Sequence, residues 1–68
     1  MQIWSVEWYG EQFKFKTVYN GPETDAWQQF YYLTAHSMSV SSKSELWLIE
    51  EDANKVFHTK AKFKWEKH

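Results

Sequence analysis

Residues able to do chemistry are few and scattered. The histidines are His36, His58 and His68, the aspartates are Asp25 and Asp52, and there is no cysteine. A serine nucleophile needs a histidine oriented by an acid, and the serine itself held on a recognisable elbow. Five serines fall between Ser37 and Ser44, and none stands in such a context. A phosphate-cradling loop needs patterned glycines, which Gly10 and Gly21 alone do not supply. The histidines lack the close pairs of a structural zinc site, and Glu50, Glu51 and Asp52 lack calcium-loop spacing. We therefore expect no catalytic residues, no metal and no cofactor. The work of this chain is expected to be binding.

Two kinds of binding chemistry are present. The first is basic: all eight cationic residues are lysines, with no arginine, against nine carboxylates and a net charge of −1. Lys14, Lys16, Lys60, Lys62 and Lys64 recur at alternate positions, so on strands they would share a face and could neutralise phosphates. Such a nucleic-acid contact would be weak and sequence-tolerant, because arginine makes the bidentate contacts that read guanine. A solvated strand face that discourages aggregation explains the same lysines. The second chemistry is aromatic. Five Trp, five Phe and four Tyr make up 21% of the chain, and interfaces favour aromatic centres with charged rims. Candidate partner-binding residues are Trp47 and Ile49 (or Leu46 and Leu48, whichever pair faces outward), with Gln28, Gln29, Tyr32 and His36 on a helix. A protein partner ranks first and nucleic acid second.

The elements that must position these residues emerge from periodicity. Ile3 to Tyr9 alternates, with Trp4, Val6 and Trp8 on one side. Gly10-Glu11 marks a turn, and Phe13, Phe15, Thr17 and Tyr19 then alternate with Lys14, Lys16 and Val18, predicting a hairpin. Asn20-Gly21-Pro22 ends it, and Asn20 or Thr24 could cap a helix beginning there. At 100° per residue, Ala26, Trp27, Phe30, Tyr31, Leu33, Thr34 and Met38 share a broad face, and Asp25, Gln28, Gln29, Tyr32 and His36 lie opposite. That predicts an amphipathic helix of about four turns. Ser37 to Ser44 reads as a flexible connection or weak edge strand. Glu45 to Glu50 reads as a strand, residues 51–55 as a turn, and Phe57, Thr59, Ala61, Phe63 and Trp65 as one face of a last strand. The expected fold is α+β, in the order β-β-α-β-β, with a four-stranded antiparallel sheet and one amphipathic helix packed on one face. If the second and fourth strands are neighbours, the five lysines form one positive stripe.

With 68 residues the chain is expected to be one domain, residues 1–68, and its core a marginal one. Dense aromatic packing would compensate, and so would a homodimer. No apolar stretch approaches a membrane span. The opening Met1-Gln2-Ile3-Trp4-Ser5-Val6-Glu7-Trp8 has neither a basic leader nor a signal-length apolar run, so a cytoplasmic setting is expected. In kind, a short aromatic α+β chain without catalytic signatures resembles the small inhibitors that bacteriophages use against host enzymes. That resemblance implies an inhibitory or adaptor role and assigns no residue a function.

Overall fold

Alternation over Ile3–Tyr9 and helical periodicity after Pro22 produce an α+β arrangement in which one helix lies against an antiparallel sheet. The structure is a computed structural model that describes residues 3–11, 14–19 and 22–67, and the backbone alone of residues 15–17 and 19. Strands β1 (Ile3–Tyr9), β3 (Lys43–Glu51) and β4 (Phe57–Glu66) form the antiparallel body. The helix α1 (Glu23–Val40) rests on β1 and β3, and β2 (Lys14–Tyr19) pairs along the other side of β1. The strand order is β2-β1-β3-β4. No helix of the described residues is long and apolar enough to cross a membrane.

Cross-strand partners share a face of a sheet, so the register decides what is covered. Trp8 lies opposite Leu46, Val6 opposite Leu48, and Trp4 opposite Glu50. Trp4, Val6, Trp8, Leu46 and Leu48 meet Ala26 and Phe30 of α1 in one core. Trp4, Val6, Leu46 and Leu48 are almost wholly buried. The helix supplies small residues where the sheet supplies large ones: Ala26 and Ser37 are fully buried, leaving room for two indoles. Each indole removes about 150–250 Å² from water, worth at most about 4–6 kcal/mol at about 25 cal/mol per Å².

The serine-rich stretch is not a loose connection. Ser37 to Val40 continue the helix, and Lys43 and Ser44 already belong to β3. Hydroxyls make this possible by bonding back to the preceding turn: Thr34 to the Tyr31 carbonyl, Ser37 to Thr34 and Ser39 to His36. The helix stops at Ser41, whose backbone N–H reaches the Ser37 carbonyl at 3.1 Å. Buried Ser44 accepts the Trp8 indole N–H at 3.2 Å and donates to the Ser41 hydroxyl at 3.0 Å. The longer helix also revises its faces. Tyr31 and Met38, expected inside, are 61% and 49% exposed, because the contact is narrowed to the stripe through Ala26, Phe30 and Ser37. Pro22 is the N-cap residue and no side chain caps the helix, so Thr24 has no capping role. Asn20 and Phe13 lie outside the described residues.

The turn between β3 and β4 is closed by Asp52. Its backbone N–H donates to the Val56 carbonyl at 3.0 Å, and the Lys55 N–H donates back to the Asp52 carbonyl at 2.9 Å. Lys55 sits in the left-handed region at φ 62°, the one non-glycine residue with positive φ among those described. A β-carbon there costs about 1–2 kcal/mol. Lys55→Gly should therefore raise stability by about 1 kcal/mol in urea unfolding. No gain would mean that Lys55 makes a compensating contact. In the core, Leu48→Ala should cost about 2–5 kcal/mol. Ser44→Ala should cost about 1–2 kcal/mol, the worth of its two hydrogen bonds.

Candidate functional site

Among the described residues, no second layer covers the face of the sheet away from α1. Its rows can be read from the register. Tyr9 lies between Lys14 and Glu45, with Lys64 beyond; Glu7 lies between Lys16 and Trp47, with Lys62 beyond. Ser5 lies between Val18 and Ile49, with Thr59 beyond, and Ile3 and Glu51 lead to Phe57. One end of this open face is charged and aromatic. The other, beside the Asp52 turn, mixes Val18, Ile49, Ile3 and Phe57 with Ser5, Thr59 and Glu51.

At the charged end the groups engage one another. The Tyr9 phenol donates to Glu7 at 2.5 Å, and the Trp47 indole N–H donates to Glu45 at 2.8 Å. Lys14 places its ammonium 5.3 Å from the centre of the Tyr9 ring, and Lys62 places its own 4.4 Å from that of Trp47. The negative face of each ring attracts the cation. Tyr9 is held above its ordinary pKa of 10.0, first because its proton is shared with Glu7. Burial and the nearby charges of Glu7 and Glu45 add to that.

The five lysines do not form one stripe. β2 and β4 occupy opposite edges of the sheet, with β1 and β3 between them. A register shift between Leu48 and Ile49 also inserts an extra residue into β4: Leu48 faces Ala61, whereas Ile49 faces Thr59. That bulge turns Lys60 to the helix side, where its ammonium lies 3.7 Å from the buried carboxylate of Glu50. Lys62 and Lys64 remain on the open face and Lys14 stands far across it. The side chain of Lys16 lies outside the described residues. The same bulge divides the expected aromatic face of β4. Ala61, Phe63 and Trp65 lie on the helix side, and Phe57 and Thr59 face the open side.

The ambiguity of β3 is resolved. Leu46 and Leu48 are the inward pair, and Trp47 and Ile49 face away from the helix. Trp47 is half-buried, while Ile49 is only 8% exposed between Ser5 and Thr59, so it offers a partner little surface. On α1, Gln28 and Tyr32 are exposed, and Gln29 is exposed although it makes a contact of its own. Tyr32 stacks flat on His36 at 5.9 Å between centroids, and His36 meets the edge of Trp8 at 6.0 Å. This helix flank and the open sheet face are on opposite sides of the sheet, so the six candidate partner-binding residues form two surfaces. Phe57, 62% exposed on the open face, is a binding candidate that alternation had assigned to the covered side. Nothing in the alternation of β4 marks the bulge that moves it.

Elsewhere, a half-open recess of about 490 Å³ lies at the end of the sheet away from the Asp52 turn. Its rim sets Glu11, Glu45 and Glu66 against Lys43, Lys64 and Lys67, so its formal charges cancel. The Ser42 hydroxyl donates to the Glu11 carboxylate there. No three His, Asp or Glu among the described residues stand close enough to hold a metal ion. None of the comparisons with family models, curated proteins and solved structures finds a match to this chain.

His58, the other histidine of interest within the described residues, is engaged with Asp52 at 2.9 Å. Asp52 is held below its ordinary pKa of 3.8, mainly by that hydrogen bond and then by backbone N–H groups of Val56 and Asn54. A carboxyl with a lowered folded pKa contributes stability that is complete above its unfolded value and lost as pH falls through the folded one. Acidification below 3.8 should therefore loosen the β3–β4 turn, and Asp52→Asn should remove that part of the acid dependence. An unchanged acid profile in the Asp52→Asn protein, followed by urea midpoints, would show that the turn does not depend on this carboxylate.

Proposed function

We propose that this chain is a small protein-binding domain that acts by occupying a partner's surface, as an inhibitor or adaptor, without covalent chemistry. The observation that carries this reading is the uncovered sheet face. Phe57 is 62% exposed on the β4 edge, diagonal to the outward-facing Ile49, and Val18 is 52% exposed on the opposite, β2 edge. Trp47 lies between them and the far end among paired charges. An exposed aromatic ring bordered by charge is the composition that protein interfaces favour. The cations support a protein partner over a polyanion, because Glu7 and Glu45 sit at register positions between the lysines of the two sheet edges. A phosphate backbone meeting this face would encounter carboxylates along with ammoniums.

Affinity capture from a cell lysate, with and without nuclease, tests the reading. A stoichiometric protein should remain after nuclease and in moderate salt, and Phe57→Asp should release it while leaving the circular dichroism unchanged. Loss of all bound material on nuclease treatment, with steep weakening by salt, would replace the protein partner by nucleic acid.

A further inference from the structure

We propose that the outer edge of β4, over residues 61–66, docks an extended acidic segment of a partner protein, which adds to the sheet as a further strand. The inference rests on the protein-binding reading above and names the partner's chemistry. Among the described residues β4 pairs with β3 on one side only and ends the sheet, so its outer edge presents backbone N–H and C=O groups without a ladder partner there. Such an edge is a template for an added strand. The bulge at Lys60 disrupts regular pairing toward the Asp52 turn, and the strand is regular beyond it, from Ala61 to Glu66.

Charge selects the occupant. Along the regular half, Lys62 and Lys64 point to the open face, while Ala61, Phe63 and Trp65 lie half-buried on the helix side. Neither lysine forms an ion pair among the described residues. The Trp47 ring holds the Lys62 ammonium at 4.4 Å. Glu45, directly opposite Lys64, accepts the Trp47 indole N–H, and Glu66 shares the open face at the end of the strand. A second copy of this chain fits less well. The longest antiparallel self-pairings of this half that keep both open faces on one side set either Lys62 opposite Lys64, or Lys64 opposite itself with Lys62 opposite Glu66. Like charges directly opposite are destabilising. A segment alternating carboxylates with apolar residues fits better. Its acids would meet Lys62 and Lys64, and its apolar side chains would extend the surface made by Phe63 and Trp65.

The probe is a short capped peptide alternating Glu with Val, compared with a Lys-for-Glu version and one with alternate backbone nitrogens methylated. Binding is read by titration against the whole chain and by hydrogen exchange. The Glu peptide should bind and slow exchange in residues 61–66. Joint Lys62→Glu and Lys64→Glu substitution should weaken it about tenfold or more. The methylated peptide should not bind, because it cannot complete a ladder. Equal binding of the Lys peptide or of the methylated peptide would overturn the proposal, as would no binding of the Glu peptide. If the Glu peptide fails while a nuclease-resistant protein is still captured, the edge assignment falls and the protein-binding reading stands. If no protein is captured, that reading falls on its own test.

Discussion

The packing of Trp4 and Trp8 beneath a helix stripe in which the small residues Ala26 and Ser37 flank Phe30 is the contact on which the rest depends. Two indoles need depth, and only small residues on the facing helix leave it at ordinary packing density. Once they are covered, the register across β1 and β3 is set, because slipping one residue would expose both rings. Leu46 and Leu48 are carried inward with them, and Trp47 is carried outward. The open face is therefore a consequence of the core. Ser37 contributes in a way that its polarity conceals. Its hydroxyl is satisfied 2.7 Å from the Thr34 carbonyl, so it acts as a small, neutral spacer.

The outward residues then have to be compatible with water on an uncovered surface. At the charged end they achieve this by pairing: Tyr9 with Glu7, Trp47 with Glu45, and Lys14 and Lys62 over the two rings. Each aromatic ring keeps its polar tip bonded and its face occupied by a cation, so little bare apolar area remains. The end beside the Asp52 turn lacks this treatment. There Phe57 stands exposed on the β4 edge and Val18 on the β2 edge, with Ser5 and a nearly buried Ile49 between them. This contrast within one face distinguishes a surface built for solvent from one available to a partner.

How much of this was legible in the sequence depends on the range of the interaction. The α+β class and the amphipathic helix were readable, because alternation and helical periodicity are local. So was the polar turn before Phe57. The neighbour relation of β1 and β3 was not, since it joins segments separated by the whole helix, and it is what parts the lysines of β2 from those of β4. Serines 37 and 39 read as loop because their preference is for turns; their hydroxyls bond to helix carbonyls instead, a choice made by tertiary packing. Of the candidate site, alternation left open whether Trp47 and Ile49 or Leu46 and Leu48 faced outward, and only the register with β1 places Trp47 on the open face. Ile49 was paired with it by alternation alone, which says nothing about how closely Ser5 and Thr59 enclose it.

The bulge at Lys60 had no signature, since Thr59-Lys60-Ala61 fits either phase of an alternating strand. Its effects nevertheless reach both faces. It supplies a cation to Glu50, a buried carboxylate whose register partners Trp4 and His58 carry no full positive charge when His58 is neutral. Leaving that carboxylate alone would carry a desolvation cost. In the same step it releases Phe57 from the covered side and confines the regular edge of β4 to the half that bears Lys62 and Lys64. One inserted residue thus links the core requirement of a buried glutamate to the placement of the exposed ring and the free edge.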